Sequence, residues 1–248
     1  MQRRQFNTAA VATLLGTAYA GSAWAQAANP LEQVKVLYGF PPGSAGDICA
    51  RRVAEKFAGT AYSKNAGVVD NKPGAGGRIA LDLLKPSVAD GSVIAHTPFS
   101  ALALYPHIYK QLSYDPFKDF VMLGTSSLIH HGFCVGPKVP ATVTNIKEFL
   151  AWAKANPKDA SYGSPAAGST PHFIGALLGI NSGVELQHVA YRGSVPGITD
   201  VVGGQVAAMV CPHGDMIANH KAGKLRILAT SGKTRSPFVP EVATFAEQ

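Results

Sequence analysis

The stretch Val68-Val69-Asp70-Asn71-Lys72-Pro73-Gly74-Ala75-Gly76-Gly77-Arg78-Ile79-Ala80 decides the fold class. Two β-branched residues predict a short strand, Pro-Gly-Ala-Gly-Gly a tight turn, and the apolar residues that follow a helix over 79–84 that Pro86 limits. The same order recurs on both sides. Upstream, residues 34–40 are β-rich and end at Pro41-Pro42-Gly43-Ser44-Ala45-Gly46. Asp47 is then placed to cap a helix over 48–58 whose Ile48, Val53, Ala54 and Phe57 share a face. Downstream, strands are expected over 93–95, 120–125, 132–135, 160–164, 185–191, 206–210 and 225–230. Helices are expected over 144–155, 172–178 and 198–202, with a further turn and helix over 97–105. Strands alternating with helices at this spacing predict an α/β fold with parallel-rich sheets.

Composition narrows the function. The chain has 248 residues, 46% of them hydrophobic and 15% charged, which supplies a core and excludes a disordered chain. Residues 1–25 read as an export signal: Arg3 and Arg4, a small-residue apolar stretch over 8–20, then Ala23-Trp24-Ala25 as a cleavage site. Arg3-Arg4-Gln5-Phe6 fits either a Sec or a twin-arginine route. The formal charge of +7 invites a nucleic-acid reading, but two of those charges lie in the signal and the rest are scattered. No basic run is interleaved with aromatics, so nucleic acid is not an expected partner. Cys49, Cys134 and Cys211 are too few for a disulfide framework and read as small buried apolar residues, with a Cys134–Cys211 bridge left open.

Three loops share one physical character. Residues 42–47, 73–77 and 164–172 each follow a strand, are rich in Gly, Ser or Thr, and open a helix. Such a loop offers unpaired backbone N–H groups at the positive end of a helix dipole, which suits an anion. In α/β sheets these loops gather at the carboxyl ends of the strands, where ligands bind. Catalytic frames are missing: no G-x-S-x-G elbow, dinucleotide fingerprint or P-loop is present, and His130-His131 and His213 with Asp215 lack metal-site spacing. His172 is placed either to hydrogen-bond a ligand or to brace its own helix start.

The motifs resemble a known family. Phe40-Pro41-Pro42-Gly43 with Asp47, Ala50 and Arg51 is similar to the first ligand loop of the Bug-type (Bordetella uptake gene, TctC-like) periplasmic solute-binding proteins. Residues 68–77 are similar to their signature, usually VVENRPGAGG. The likeness continues through Tyr162-Gly163-Ser164, Gly168-Ser169-Thr170 and His172, then His188-Val189-Ala190-Tyr191-Arg192-Gly193. It runs on through Gly203-Gly204-Gln205-Val206 and Ala222-Gly223-Lys224-Leu225-Arg226.

The resemblance implies a two-lobed, Venus-flytrap receptor without catalytic activity or cofactor. It would be exported to the periplasm and act as a monomer that serves a tripartite tricarboxylate-type transporter or a sensor. Lobe one would comprise 26–125 with 225–248 returning to it, and lobe two 126–224. A small carboxylate or amino acid would lie between them, held by Pro42, Gly43, Ser44 and Asp47, by Ala75, Gly76 and Gly77, and by Ser164, Ser169, Thr170 and His172, with Tyr191 and Gly193 nearby. Arg78 and Arg192 are close in sequence to these loops, Arg78 reading as a solvated helix end.

Two departures from the family pattern stand out. Ser44 replaces a usual Gly, and Cys211-Pro212 stands where many relatives carry an Asp or another polar residue, which argues against an amino-acid ligand. The chain also stops at a segment after which relatives continue, so a truncated, non-binding remnant is one alternative reading. A secreted hydrolase using His172 or His213 is the other.

Overall fold

Each short strand delivers the chain to a turn and a helix, and the strands collect into two sheets. The computed structural model describes residues 30–248; the export signal read at 1–25 lies outside the described residues. The first sheet has the order β2-β1-β3, all parallel: β1 (Lys35–Tyr38), β2 (Val68–Asn71) and β3 (Val93–His96). Between them run α1 (Ala45–Glu55) and α2 (Arg78–Leu84), and after β3 a π-helical turn (Ser100–Leu104) leads into α3 (Tyr105–Ile108). Val34, Val36, Ala50 and Ala54 bury one face of this sheet against α1.

The second sheet is larger and mixed. Its order is β6-β5-β7-β4-β8, built from β4 (His131–Val135), β5 (Ser161–Ser164), β6 (Gln187–Ala190), β7 (Ala208–Pro212) and β8 (Arg226–Thr230). β6, β5 and β7 are parallel, whereas β4 runs antiparallel to both β7 and β8. α4 (Ile146–Ala155), α5 (Thr170–Ser182), α6 (Ser194–Val202) and α7 (Ile217–Lys221) cover it. Successive strand residues point to opposite faces. Phe133 and Val135 therefore join Phe149, Tyr162 and Leu228 on one side, while Cys134 joins Met209, Cys211 and Ile227 on the other. Both faces are dry, which is why these strands read as nearly continuous apolar runs.

The structure corrects two expectations. Residues 225–248 do not return to the first sheet. β8 pairs with β4, Val239 and Val242 pack into the second sheet's core, and Gln248 Nε2 donates to the Leu228 carbonyl at 2.8 Å. Ile227, Leu228 and Ala229 are apolar on both faces, and the second sheet buries both. Second, residues 120–125 form no strand. They belong to no regular element, with Val121 86% and Leu123 75% exposed. Their apolar run suits a strand, but a strand also needs a hydrogen-bonded neighbour, which the described residues do not supply.

All three cysteines are free. Cys134 stands opposite Met209, and Cys211 opposite Gly132. The two cysteines are therefore diagonal neighbours, whose Cα atoms lie ~7–8 Å apart, beyond the ~4.4–6.8 Å a disulfide usually spans. Among the described residues no helix is long and apolar enough to cross a membrane.

Candidate functional site

Four consecutive residues with positive φ make the turn after β2: Gly74 at 139°, Ala75 at 48°, Gly76 at 67° and Gly77 at 91°. An L side chain in the left-handed region costs roughly 1–2 kcal/mol, so a run of this kind needs glycine at most of its positions. Three carbonyls of the turn are pinned. Gly77 N–H donates to Gly74 O at 2.9 Å, Arg78 Nε to Ala75 O at 2.9 Å, and Tyr105 Oη to Gly76 O at 3.0 Å. Arg78, expected as a solvated helix end, thus braces the turn and also lies 4.1 Å over the Tyr109 ring. Tyr105 is fully buried, so the turn rests on a rigid support.

The first loop is held from within. Ser44, rather than Asp47, is the N-cap of α1: its Oγ accepts from Asp47 N–H at 3.4 Å and donates to the Pro41 carbonyl at 3.2 Å. Asp47 sits one turn in, and its buried carboxylate accepts from Gly43 N–H at 2.9 Å, Arg51 Nε at 3.0 Å and Asn71 Nδ2 at 2.8 Å. Burial alone would raise this carboxyl's pKa; the donors from Arg51, Asn71 and Gly43 outweigh it and hold the pKa below the ordinary value. Both side chains therefore shape the loop. Pro42 and Gly43 are its exposed tip.

The third loop is organised the same way. Ser169 caps α5, its Oγ accepting from His172 N–H at 3.5 Å and donating to Ala166 O at 2.6 Å. His172 Nδ1 accepts from Gly168 N–H at 3.0 Å, which leaves Nε2–H as its donor. Bracing its own helix start is thus one job His172 performs. Ser164 Oγ donates to Ala166 O at 3.0 Å and lies 2.8 Å from His188 Nε2. The His172 and His188 rings stack at 3.9 Å. Burial first, then the neighbouring His172, pushes the His188 pKa down to about 4, so the stacked pair is neutral near pH 7. Tyr191 points its hydroxyl to Asp200 Oδ2 at 2.8 Å, and Gly193 N–H donates to Pro165 O at 3.0 Å. Arg192 is exposed.

Loops from the two sheets meet. Ser100 Oγ lies 3.1 Å from Thr170 Oγ1 and accepts from Thr170 N–H at 3.2 Å. A methyl built on Gly76 would stand 3.3 Å from the Ala166 Cβ, and one on Gly193 2.5 Å from Pro41 Cδ. Ala45 N–H donates to Asp215 Oδ1 at 2.6 Å. Burial raises the Asp215 pKa above the ordinary value, against the opposing pull of Ser194 and the Ala45 amide. These contacts make a seam that brings segments of the three loops against one another, with Gly193 beside the first loop.

Ser100, Tyr105 and Asp215 belong to the same seam and were not among the expected site residues; neither spacing nor composition marks them. The grooves of about 490 and 320 Å³ lie elsewhere, beside α4 and Gln248. Among the described residues no group of three or more His, Cys, Asp or Glu is arranged to hold a metal.

Comparison with known proteins gives this arrangement a context. The model of the tripartite tricarboxylate transporter family receptor, TctC, matches residues 49–248. A UPF0065 protein of Bordetella bronchiseptica is 31% identical over 221 residues, which is 88% of this chain and 63% of that relative's length. Rpa4515 of R. palustris, solved with adipate, superposes with a TM-score of 0.80 at 28% identity, over 87% of this chain and 71% of the other. MatC of Rhodopseudomonas palustris, solved with bound malate, gives 0.74 at 25% identity, over 88% and 73%. The periplasmic binding protein BugD gives 0.75 at 27% identity, over 87% and 70%. The fold is therefore that of the periplasmic binding proteins, and the match is to a receptor family rather than to an enzyme family.

Proposed function

This chain belongs to the tripartite tricarboxylate transporter receptor family, and from that premise we propose that it binds a small organic carboxylate along the seam between its two groups of loops. One observation carries the reading: helix-opening loops from both sheets converge there, through the contacts of Ala45 with Asp215 and of Ser100 with Thr170. Helix starts supply N–H donors and a positive dipole end, which hold a carboxylate without a dedicated cation. Two solved relatives carry adipate and malate, and this supports a carboxylate as the ligand class.

The ligand's carboxylate would meet the amides of the 42–47 and 74–77 loops and the Nε2–H of His172. Most hydroxyls expected to touch it are engaged in shaping their own loops, so backbone amides and bridging water carry more of the recognition. Among the described residues the two lobes are the units 30–125 and 126–248, with the last strand assigned to the second. The protein is exported and hands its ligand to a membrane transporter or to a sensor. It works as a monomer.

Thermal unfolding of the chain from Gln26 onward, with di- and tricarboxylates, aromatic acids and amino acids, tests the reading. An acid at 100 times its Kd adds about 2.7 kcal/mol, a shift of roughly 5–10 °C for a chain of this size. A cooperative melt that no carboxylate moves counts against the proposal.

A further inference from the structure

Three amides at the start of α1 are engaged within the first loop. Gly43 N–H goes to Asp47 Oδ2, Asp47 N–H to Ser44 Oγ, and Ile48 N–H to the Ser44 carbonyl at 3.0 Å. Ala45, the first residue of α1, instead donates to Oδ1 of Asp215, 170 positions along the chain. Asp215 closes the 3-10 turn His213–Asp215 that follows β7. Its carboxylate therefore reaches from the second sheet's loops to the start of a helix packed on the first sheet. The approach is close throughout, for a methyl on Gly214 would sit 3.5 Å from the Ala45 Cβ.

The other oxygen, Oδ2, is buried and has no hydrogen-bond partner. Among the described residues no Lys, Arg or His lies within ion-pair distance of this carboxylate. A half-satisfied buried carboxylate is an unfavourable way to tie down a turn. What it gains is the positive end of the eleven-residue helix α1. A ligand carboxylate needs that same interaction. The Asp47 carboxylate already lies under this helix start, neutralised by Arg51, so a further anion meets Asp215 as a like charge in a desolvated place.

We propose that Asp215 is a resident competitor for the ligand site. It holds the loops of the two sheets together through Ala45 N–H, and it must release that amide when an acidic ligand takes the N-terminus of α1. Asp215 thereby sets the affinity of the receptor. The inference rests on the carboxylate reading above and adds the residue that limits it.

The test uses the full chain as wild type, D215N and D215A, each checked for a cooperative melt. D215N retains an oxygen acceptor without the charge; D215A removes both. Two quantities are read: amide hydrogen exchange of the segment 43–50, and the Kd of adipate and of malate by calorimetry. Exchange at Ala45 is expected to rise about tenfold in D215A and less in D215N, consistent with loss of one protecting acceptor. Whichever acid wild type binds is expected to bind about tenfold more tightly to both variants, the effect of removing one like charge.

Unchanged exchange at Ala45 overturns the contact, whatever the acids do. Binding that is equal or weaker in folded variants, with wild type binding normally, overturns the competition and leaves the carboxylate reading intact. If none of the three proteins binds either acid, the carboxylate reading fails and the competition falls with it, while exchange still decides the Ala45–Asp215 contact.

Discussion

Replacing Gly193 by Ala probes whether the loops of the two sheets meet as closely as the structure has them. Gly193 is the N-cap of α6, with φ 112° and ψ 173°, a conformation reserved almost entirely for glycine. An added methyl group would stand 2.5 Å from Pro41 Cδ and 3.0 Å from Pro41 Cγ, across the seam. Carbon atoms settle at ~3.5–4.0 Å, so the two loops must separate by about 1 Å. The backbone strain is worth roughly 1–3 kcal/mol, and a domain of this size loses about 2–4 °C of Tm per kcal/mol. The wedge acts differently, because the first loop can retreat only by opening the seam.

G193A should therefore melt about 4–10 °C below wild type and bind its carboxylate at least about tenfold more weakly. Gly183 offers the control. It caps α5 at φ 65° with nothing within 4 Å of an added methyl, so G183A carries left-handed strain and no wedge. Calorimetric unfolding and ligand titration of both variants separate the effects. Wild-type affinity in G193A, with G183A behaving as stated, would refute the claim that the ligand binds along the seam that Pro41 and Gly193 close.

Two further outcomes follow from the side chains. Asp47→Ala removes the acceptor shared by Gly43, Arg51 and Asn71, and should lower the urea-derived stability by about 2–4 kcal/mol and abolish binding, with Asp47→Asn retaining part of both; stability within error of wild type would contradict the bracing role. Stability should also fall on acidification. Burial, then His130 and His213, holds the His131 pKa at about 4, and His188 is lowered to about 4 as well. For a base whose folded pKa is depressed, the unfolded chain binds the proton first. Stability is then complete above the ordinary value near 6.5 and is lost as pH falls from there through about 4, by up to roughly 3 kcal/mol per fully buried group. A urea midpoint that is flat between pH 7 and pH 4, in wild type and in His131→Gln alike, would show that neither histidine is desolvated.

The backbone was far more legible than the site. Val68-Val69 followed by Pro73-Gly74-Ala75-Gly76-Gly77 announces a strand and a strained turn, because few residue types tolerate four positive φ values in succession. Local signals of that kind also placed α1, α4 and α5. Residues 120–125 mislead for the opposite reason: an apolar run describes a chain that would suit a sheet, whereas pairing depends on a neighbour that local sequence does not name. The same limit moved 225–248 from one sheet to the other, since an apolar strand such as Ile227-Leu228-Ala229 carries no mark of which sheet buries it. Asp215 was read only against metal spacing, and nothing near it in sequence points to Ala45.

Capping chemistry and ligand chemistry use the same atoms, and this is why a sequence overstates the polar lining of such a site. Ser44, Asp47, Ser169 and His172 stand at helix starts, where a hydroxyl, carboxylate or ring nitrogen satisfies either the helix or an incoming acid. In each case the helix has the first claim, because its partner is fixed three or four residues away and needs no further ordering. A ligand is then left with the groups a helix start cannot satisfy for itself: outward amides, the far nitrogen of a ring, and the N–H that another part of the chain has borrowed. Ala45 N–H belongs to the last kind. Selectivity among small acids in this protein should consequently respond more to substitutions that move the loops, such as Gly193→Ala, than to deletion of the hydroxyls the motif displays. A series of Ser44, Ser164, Ser169 and Thr170 alanine variants ranked by stability rather than by ligand preference would carry that signature.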